Sequence, residues 1–195
     1  MQKLVFFDLE TGGLDPKRHP IIQVAAIAVD AGSLREVETF EQKVSFALEA
    51  ADHEALSMNS YDEVAWQDAA RPSLAASRFS EFLGRHATIE RMSKRQTPYY
   101  VAQLVGHNAA AFDGPFLKEW FSSLGLFLPA SWHVLDTIQR VQWLGVERPD
   151  LPPPPALNLP VLRKHYGLSE EGAHDALHDV MATVALYRAL RSQTA

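Results

Sequence analysis

Cysteine does not occur among the 195 residues. Its absence removes disulfide frameworks, thiol nucleophiles and zinc–thiolate sites from consideration, and suits a reducing compartment. An excess of positive charge is also missing: 18 Lys and Arg stand against 24 Asp and Glu, a net charge of −6. A chain of that sign does not grip a polyanion by bulk electrostatics. Any contact with nucleic acid must therefore be local, through a few basic residues along one groove and carboxylates neutralised by metal. No apolar run approaches the length of a bilayer crossing, and Met1-Gln2-Lys3 leads into the first strand without the tripartite pattern of a signal peptide. The expectation is a cytoplasmic protein with no membrane partner. Hydrophobic content of 47% and charged content of 22% are ordinary for a globular chain, and neither internal repeats nor a linker stand out. Residues 1–195 therefore read as a single domain with ample core.

Leu4 to Phe7 is an apolar run bounded downstream by Gly12-Gly13 and Asp15-Pro16, which predicts a buried strand running into a turn. Ile21 to Val29 and Arg35 to Phe46 predict two more strands in an antiparallel meander, joined by the turn Asp30 to Ser33. From Glu49 to Gly84 the spacing is helical. Ala55, Met58 and Trp66 seed short helices, and Leu74, Phe79, Phe82 and Leu83 mark an amphipathic one ending at Gly84. The polar stretch Arg85 to Thr97 reads as a loop whose Arg85, Arg91, Lys94 and Arg95 either touch a substrate backbone or are a solvated surface.

Tyr99 to Val105 predicts a fourth strand that empties into Gly106-His107-Asn108. Asp113 to Leu124 follows as a helix stopped by Gly125, and His133 to Leu135 as a short fifth strand. Asp136-Thr137 opens a helix to about Leu144. The run Pro152 to Pro155 stays extended, as a stiff connector or a docking segment. A short helix, Leu159 to Tyr166, closes at Gly167. The last helix spans His174 to Ser192, with Leu177, Val180, Met181, Val184 and Leu186 on its buried face. The fold class is α/β, a mixed five-stranded sheet flanked by helices.

Chemistry is concentrated in three acidic segments. Asp8 and Glu10 stand two apart on a strand, so both carboxylates share one face. Like charges on a buried face repel unless a cation lies between them, and a hard, oxygen-seeking dication, Mg²⁺ or Mn²⁺, resolves the conflict. A bare D-x-E also begins ordinary solvated turns. The second segment is Gly106 to Asp113, where Asp113 either joins a site or caps a helix. The third is His174-Asp175-Ala176-Leu177-His178-Asp179. In a helix Asp175 and Asp179 share a face while His178 points elsewhere, so the residues alone leave Asp175 and His178 in competition with Asp179 and His174.

In this order the three segments resemble the motifs of the DEDDh, or DnaQ-like, 3′-to-5′ exonucleases. That family includes polymerase proofreading subunits, ribonuclease T and oligoribonuclease. Phe7-Asp8-Leu9-Glu10-Thr11 and Gly13 are similar to its F-D-x-E-T-x-G, and Gly106 to Leu117 to its G-H-N-x-x-F-D-x-x-F-L with one extra residue between Asn108 and Phe112. His174 to Asp179 matches its H-x-A-x-x-D. Gln23-Val24-Ala25, Asp136-Thr137 and Leu157 to Gly167 extend the likeness over nearly the whole chain. Two departures stand out: Gly12 where many members carry a second threonine, and the inserted loop Ala109 to Ala111.

The resemblance implies a ribonuclease H-like fold of exonuclease type. Asp8, Glu10, Asp113 and Asp179 would hold two Mg²⁺ or Mn²⁺ ions, with His174 as general base. Two such ions can clamp the attacking and leaving oxygens of an in-line displacement at phosphorus. The substrate would be a 3′ end of single-stranded DNA or RNA, released as nucleoside 5′-monophosphates. Thr11 would meet the terminal hydroxyl and Leu14 would wedge against its base. Phe112 would stack on a base or pack in the core. Asn108 would contact the strand or shape the loop, with His107 structural. A polymerase or other replication or repair partner and a homodimer are further associations that the resemblance suggests. A noncatalytic nucleic-acid-binding or polymerase-associated module normally lacks a metal ligand, and none is missing here. An aspartyl-phosphate phosphatase wants D-x-D and a lysine.

Overall fold

A computed structural model describes residues 2–169 and 175–193. The N-terminal apolar run forms β1 (Lys3–Thr11), which pairs antiparallel with β2 (Ile21–Asp30). β2 in turn pairs antiparallel with β3 (Glu36–Lys43). On the other side of β1 lie β6 (Leu104–Gly106) and β7 (Leu135–Asp136), both parallel to their neighbours, giving the mixed five-stranded order β3-β2-β1-β6-β7. The sheet is therefore of the expected class, with β1 at its centre.

Because β1 is central, side chains of both parities are buried. Val5, Phe7 and Leu9 face one core with Phe79, Phe82 and Leu83 of α2 (Pro72–Arg85) and Phe116, Leu117 and Phe121 of α3 (Asp113–Ser123). Leu4 and Phe6 face the other, against Ala176, Val180 and Val184 of α6 (Ala176–Ser192). A third cluster joins α6 to α4 (Thr137–Glu147) and α5 (Leu159–His165) through Val141, Leu144, Leu162, Leu186 and Leu190. The alternation that buries Phe6 toward α6 also sends Asp8 and Glu10 toward α6.

Several expectations are corrected. The polar stretch Arg85 to Thr97 is not a loop: α2 runs through Gly84 to Arg85, and β4 (Ile89–Met92) then forms a hairpin with β5 (Pro98–Val101). Gln96 sits in the turn at φ 59°, and the Ser93 N–H donates to the Thr97 carbonyl at 2.9 Å. The single strand expected over Tyr99 to Val105 is two strands in different sheets. It breaks where Ala102 bridges Ala130, and where Gln103 Nε2 donates to the carbonyls of His133 (2.6 Å) and Leu104 (3.1 Å).

Trp66 seeds no helix; its Nε1 donates to the Ile22 carbonyl at 3.1 Å and so ties a turn segment to β2. The short helix in that region is α1 (His53–Met58). Met181 is half-exposed rather than buried, because the face of α6 that meets the sheet runs through Ala176, Val180, Thr183 and Val184. α6 starts at Ala176 with Asp175 as its cap, two residues later than expected. The stops at Gly125 and Gly167 hold, each at φ 66°. The run Pro152 to Pro155 forms no helix or strand between α4 and α5.

Candidate active site

Asp8, Glu10 and Asp179 meet at the carboxyl end of β1. Each offers a carboxylate oxygen, and the three lie within 4.8 Å of one another. Glu10 is buried, and Asp8 and Asp179 are half-buried. Asp179 reaches the strand because it occupies the first turn of α6, one residue before the buried Val180. The turn is fixed by Asp175, whose carboxylate accepts from the N–H groups of Leu177 (3.1 Å) and His178 (3.3 Å). Asp175 therefore serves the helix rather than joining the trio. His178, its competitor companion, is exposed and turned to Asp175 at 3.5 Å. His174 lies outside the described residues.

Asp113 arrives from the opposite side of the strand. It is the first residue of α3 and is buried; its Oδ1 accepts the Leu9 N–H at 3.1 Å. Asp113 is thus not the helix cap, a position held by Phe112. The bond ties α3 to the backbone between Asp8 and Glu10, so the fourth acid stands beside the trio rather than within its 4.8 Å circle.

Electrostatics make this cluster costly without a cation. Burial, then the neighbouring carboxylates of Asp113, Glu10 and Asp179, push Asp8 well above the usual carboxylate range. Burial and the charges of Asp179 and Asp113 push Glu10 up to about 7. Burial raises Asp113 to about 7, against the pull of its own N–H and that of Leu9. Closely spaced carboxylate oxygens suit hard dications such as Mg²⁺ or Mn²⁺, so the donor set fits the metals that the motifs imply.

The loop carrying the second motif is held by a residue whose part the sequence leaves unseen. Asp136, buried at the start of α4, accepts from the N–H groups of Asn108 (3.1 Å), Ala110 (3.0 Å) and Ile138 (2.9 Å). The only signal for this in the sequence is an Asp-Thr pair opening a helix. Asn108 sits in the left-handed region at φ 57° with its side chain exposed, and the inserted residues fold into a turn capped by the Asn108 carbonyl. His107 shares a 2.8 Å hydrogen bond with Thr137, and burial holds its imidazole below the usual range. Gly106 admits no side chain: a Cβ there would overlap the Ala109 methyl and lie 3.2 Å from the Phe7 carbonyl oxygen.

Around the mouth, Leu14 is 82% exposed. Thr11 is buried and its hydroxyl donates to the Gly13 carbonyl at 2.8 Å, so it braces the loop rather than facing outward. Phe112 is half-buried against Phe116, ring centroids 5.1 Å apart. The departure at Gly12 has a packing cause: a Cβ would stand 2.8 Å from Ala51 Cβ and 2.9 Å from Pro20 Cδ, space that a threonine would need.

Comparison with known proteins bears on the same stretch. The RNase_T exonuclease family model matches residues 5–187. The chain is 28% identical over 186 residues to the DNA polymerase III PolC-type of Clostridium perfringens, covering 94% of this chain and 11% of that protein. It is 29% identical over 192 residues to the chloroplastic/mitochondrial exonuclease DPD1 of Arabidopsis thaliana, covering 96% of this chain and 55% of that one. An oligoribonuclease of Corynebacterium efficiens is 30% identical over 118 residues, 60% of this chain and 51% of the relative. The chain thus spans about half the length, or less, of the curated relatives it matches. Among solved structures, E. coli Exonuclease I in complex with a dT13 oligonucleotide superposes with a TM-score of 0.79 at 20% identity, over 100% of this chain and 42% of that one. The mixed sheet flanked by helices is the fold shared with that enzyme over the superposed part, and by the family match over 5–187 this chain belongs to the RNase_T, DnaQ-like exonuclease family.

Proposed function

We propose that the 195 residues act as one exonuclease domain that hydrolyses single-stranded DNA or RNA from the 3′ end to nucleoside 5′-monophosphates. The observation that carries the reading is the meeting of Asp8, Glu10 and Asp179 within 4.8 Å, with Asp113 hydrogen-bonded to the strand between the first two. These four carboxylates would hold two Mg²⁺ or Mn²⁺ ions, which supply charge stabilisation to the phosphoryl group and make water a better nucleophile. The chain's own part is positional. β1 fixes Asp8 and Glu10 on one face, the Asp175 cap fixes the first turn of α6, and Asp136 holds the loop beside Asp113. His174 is the general base that takes a proton from the attacking water, since imidazole titrates near neutrality. Leu14 wedges against the terminal base, with Asn108, Phe112 and the Thr11 loop completing the terminal-nucleotide pocket.

Support comes from the relatives' printed functions, exonuclease and oligoribonuclease, and from the oligonucleotide complexes of Exonuclease I. The PolC-type relative supports a polymerase or another replication or repair protein as partner, with a homodimer as the other association proposed. A cytoplasmic setting belongs to the same proposal; no cysteine calls for an oxidising one. The test is a time course on 5′-labelled single-stranded DNA, duplex DNA and RNA with Mg²⁺ or Mn²⁺. Stepwise shortening from the 3′ end is the expected result, and intact substrate under both metals would overturn the reading.

A further inference from the structure

Two adjoining cavities, of about 450 and 140 Å³, have Leu128, Ser131 and Trp132 in common and together mark one grooved surface. Its near end is lined by Gly114, next to Asp113, by Ala110 of the second-motif loop, and by Lys17 in the loop after Leu14. Its far end reaches Arg91 and Tyr99 of the β4–β5 hairpin, directly opposite one another in register, and Phe127. The hairpin that sequence patterning misses is therefore a wall of this groove.

The lining combines two features. The rings are exposed to an unusual degree: Trp132 64%, Phe127 64%, Tyr99 38%. The cations have no carboxylate partner: Lys17, Lys118 and Arg91 form no ion pair among the described residues, whereas Arg85, Arg140 and Arg148 do, and Arg91 donates only to the Glu90 carbonyl at 3.2 Å. Lys118 Nζ instead lies 5.4 Å from the Trp132 ring centroid. Among the described residues, Glu119 is the one acidic residue lining the groove. In a chain of net charge −6, unneutralised cations interleaved with open rings are the pattern that binds phosphates and stacks bases. A protein partner is the poorer fit, since lysine is depleted at the cores of protein–protein interfaces.

We propose that this groove binds the nucleotides 5′ of the scissile end of a single strand, with Trp132 as a stacking platform and Lys17, Lys118 and Arg91 on the backbone. The proposal rests on the nuclease reading above and extends it to an elongated binding site.

The experiment compares Trp132→Ala and the double variant Arg91→Ala/Lys118→Ala with wild type, on a dinucleotide and on a single strand of roughly twelve nucleotides, in deoxy and ribo forms. On the long strand KM is expected to rise about 5- to 100-fold with kcat retained, while dinucleotide kinetics stay unchanged. Each lost cation should also flatten the dependence of log KM on log salt by about 0.7. Because the substituted side chains are largely exposed, melting should not change. Equal KM on the long strand, or parallel losses on both substrates, overturns the proposal. So does a shift from dimer to monomer in sedimentation without a change in KM, which would mark a protein interface. If wild type cleaves neither substrate, the nuclease reading fails by itself. Anisotropy of the labelled long strand in EDTA then decides the groove: weaker binding by the variants supports it, and equal binding, or none by wild type, overturns it.

Discussion

Substituting Glu10→Gln should make the metal-free protein more stable, and by an amount that depends on pH. Glu10 titrates at about 7 in the folded chain against an ordinary 4.5. Between those values the folded state binds more protons than the unfolded state. Wild-type stability therefore falls as pH rises from about 4.5 to about 7, and the full cost is present above that. The difference corresponds to roughly 3 kcal/mol at pH 8. Glutamine keeps the shape and removes the charge, so in EDTA the variant should gain up to about 3 kcal/mol there and almost nothing near pH 4.5. For a chain of this size that is an increase of about 6–12 °C in Tm. Thermal and urea melts across this pH range would read it directly. Adding Mg²⁺ or Mn²⁺ should raise wild-type Tm more than that of the variant, since ligand binding to the folded state adds stability by mass action. A variant less stable than wild type at pH 8, or equally favoured at both ends of the range, would refute the reasoning that burial and the neighbouring carboxylates make the Glu10 charge costly.

Asp8→Ala should lower turnover at least about a hundredfold while its metal-free melting stays level or rises; a collapse of folding would make Asp8 structural. Asp136→Ala strands three N–H groups and should cost about 3 kcal/mol in urea melts, with loss of activity from a loosened second-motif loop. Gly106→Ala should destabilise by about 1–3 kcal/mol through its overlap with Ala109, and Ala109→Gly in the same chain should recover most of that loss. His174→Ala should abolish the rise of kcat/KM through the neutral range that a histidine base produces, leaving a shallow pH profile.

How far the site is legible in the sequence follows from which interactions are local. Asp8 and Glu10 share a face because strand periodicity demands it, and the apolar run before them reveals the strand. The meeting with Asp179 needs the likeness to a family, since nothing local links residue 10 to residue 179. The β4–β5 hairpin escapes detection because Glu90, Arg91 and Met92 are all exposed, so neither face carries an apolar alternation. The break within Tyr99 to Val105 escapes for the opposite reason. Most of its residues are strong strand formers, so the weaker Ala102-Gln103 pair is passed over, and what divides the run is a bridge to Ala130 and a side-chain bond from Gln103 to the distant His133. Asp136 looks like an ordinary helix cap, and its hold on a loop some 26 to 28 residues earlier is visible only in three dimensions.

Placing acids from the first strand and the last helix at one point has a kinetic side. A loop joining residue 10 to residue 179 must close before the third carboxylate arrives, so a growing chain carries an incomplete acidic cluster through most of its synthesis. The acidic pocket thus comes together only as α6 docks on the sheet, which would make the proposed binding of dications a late readout of folding.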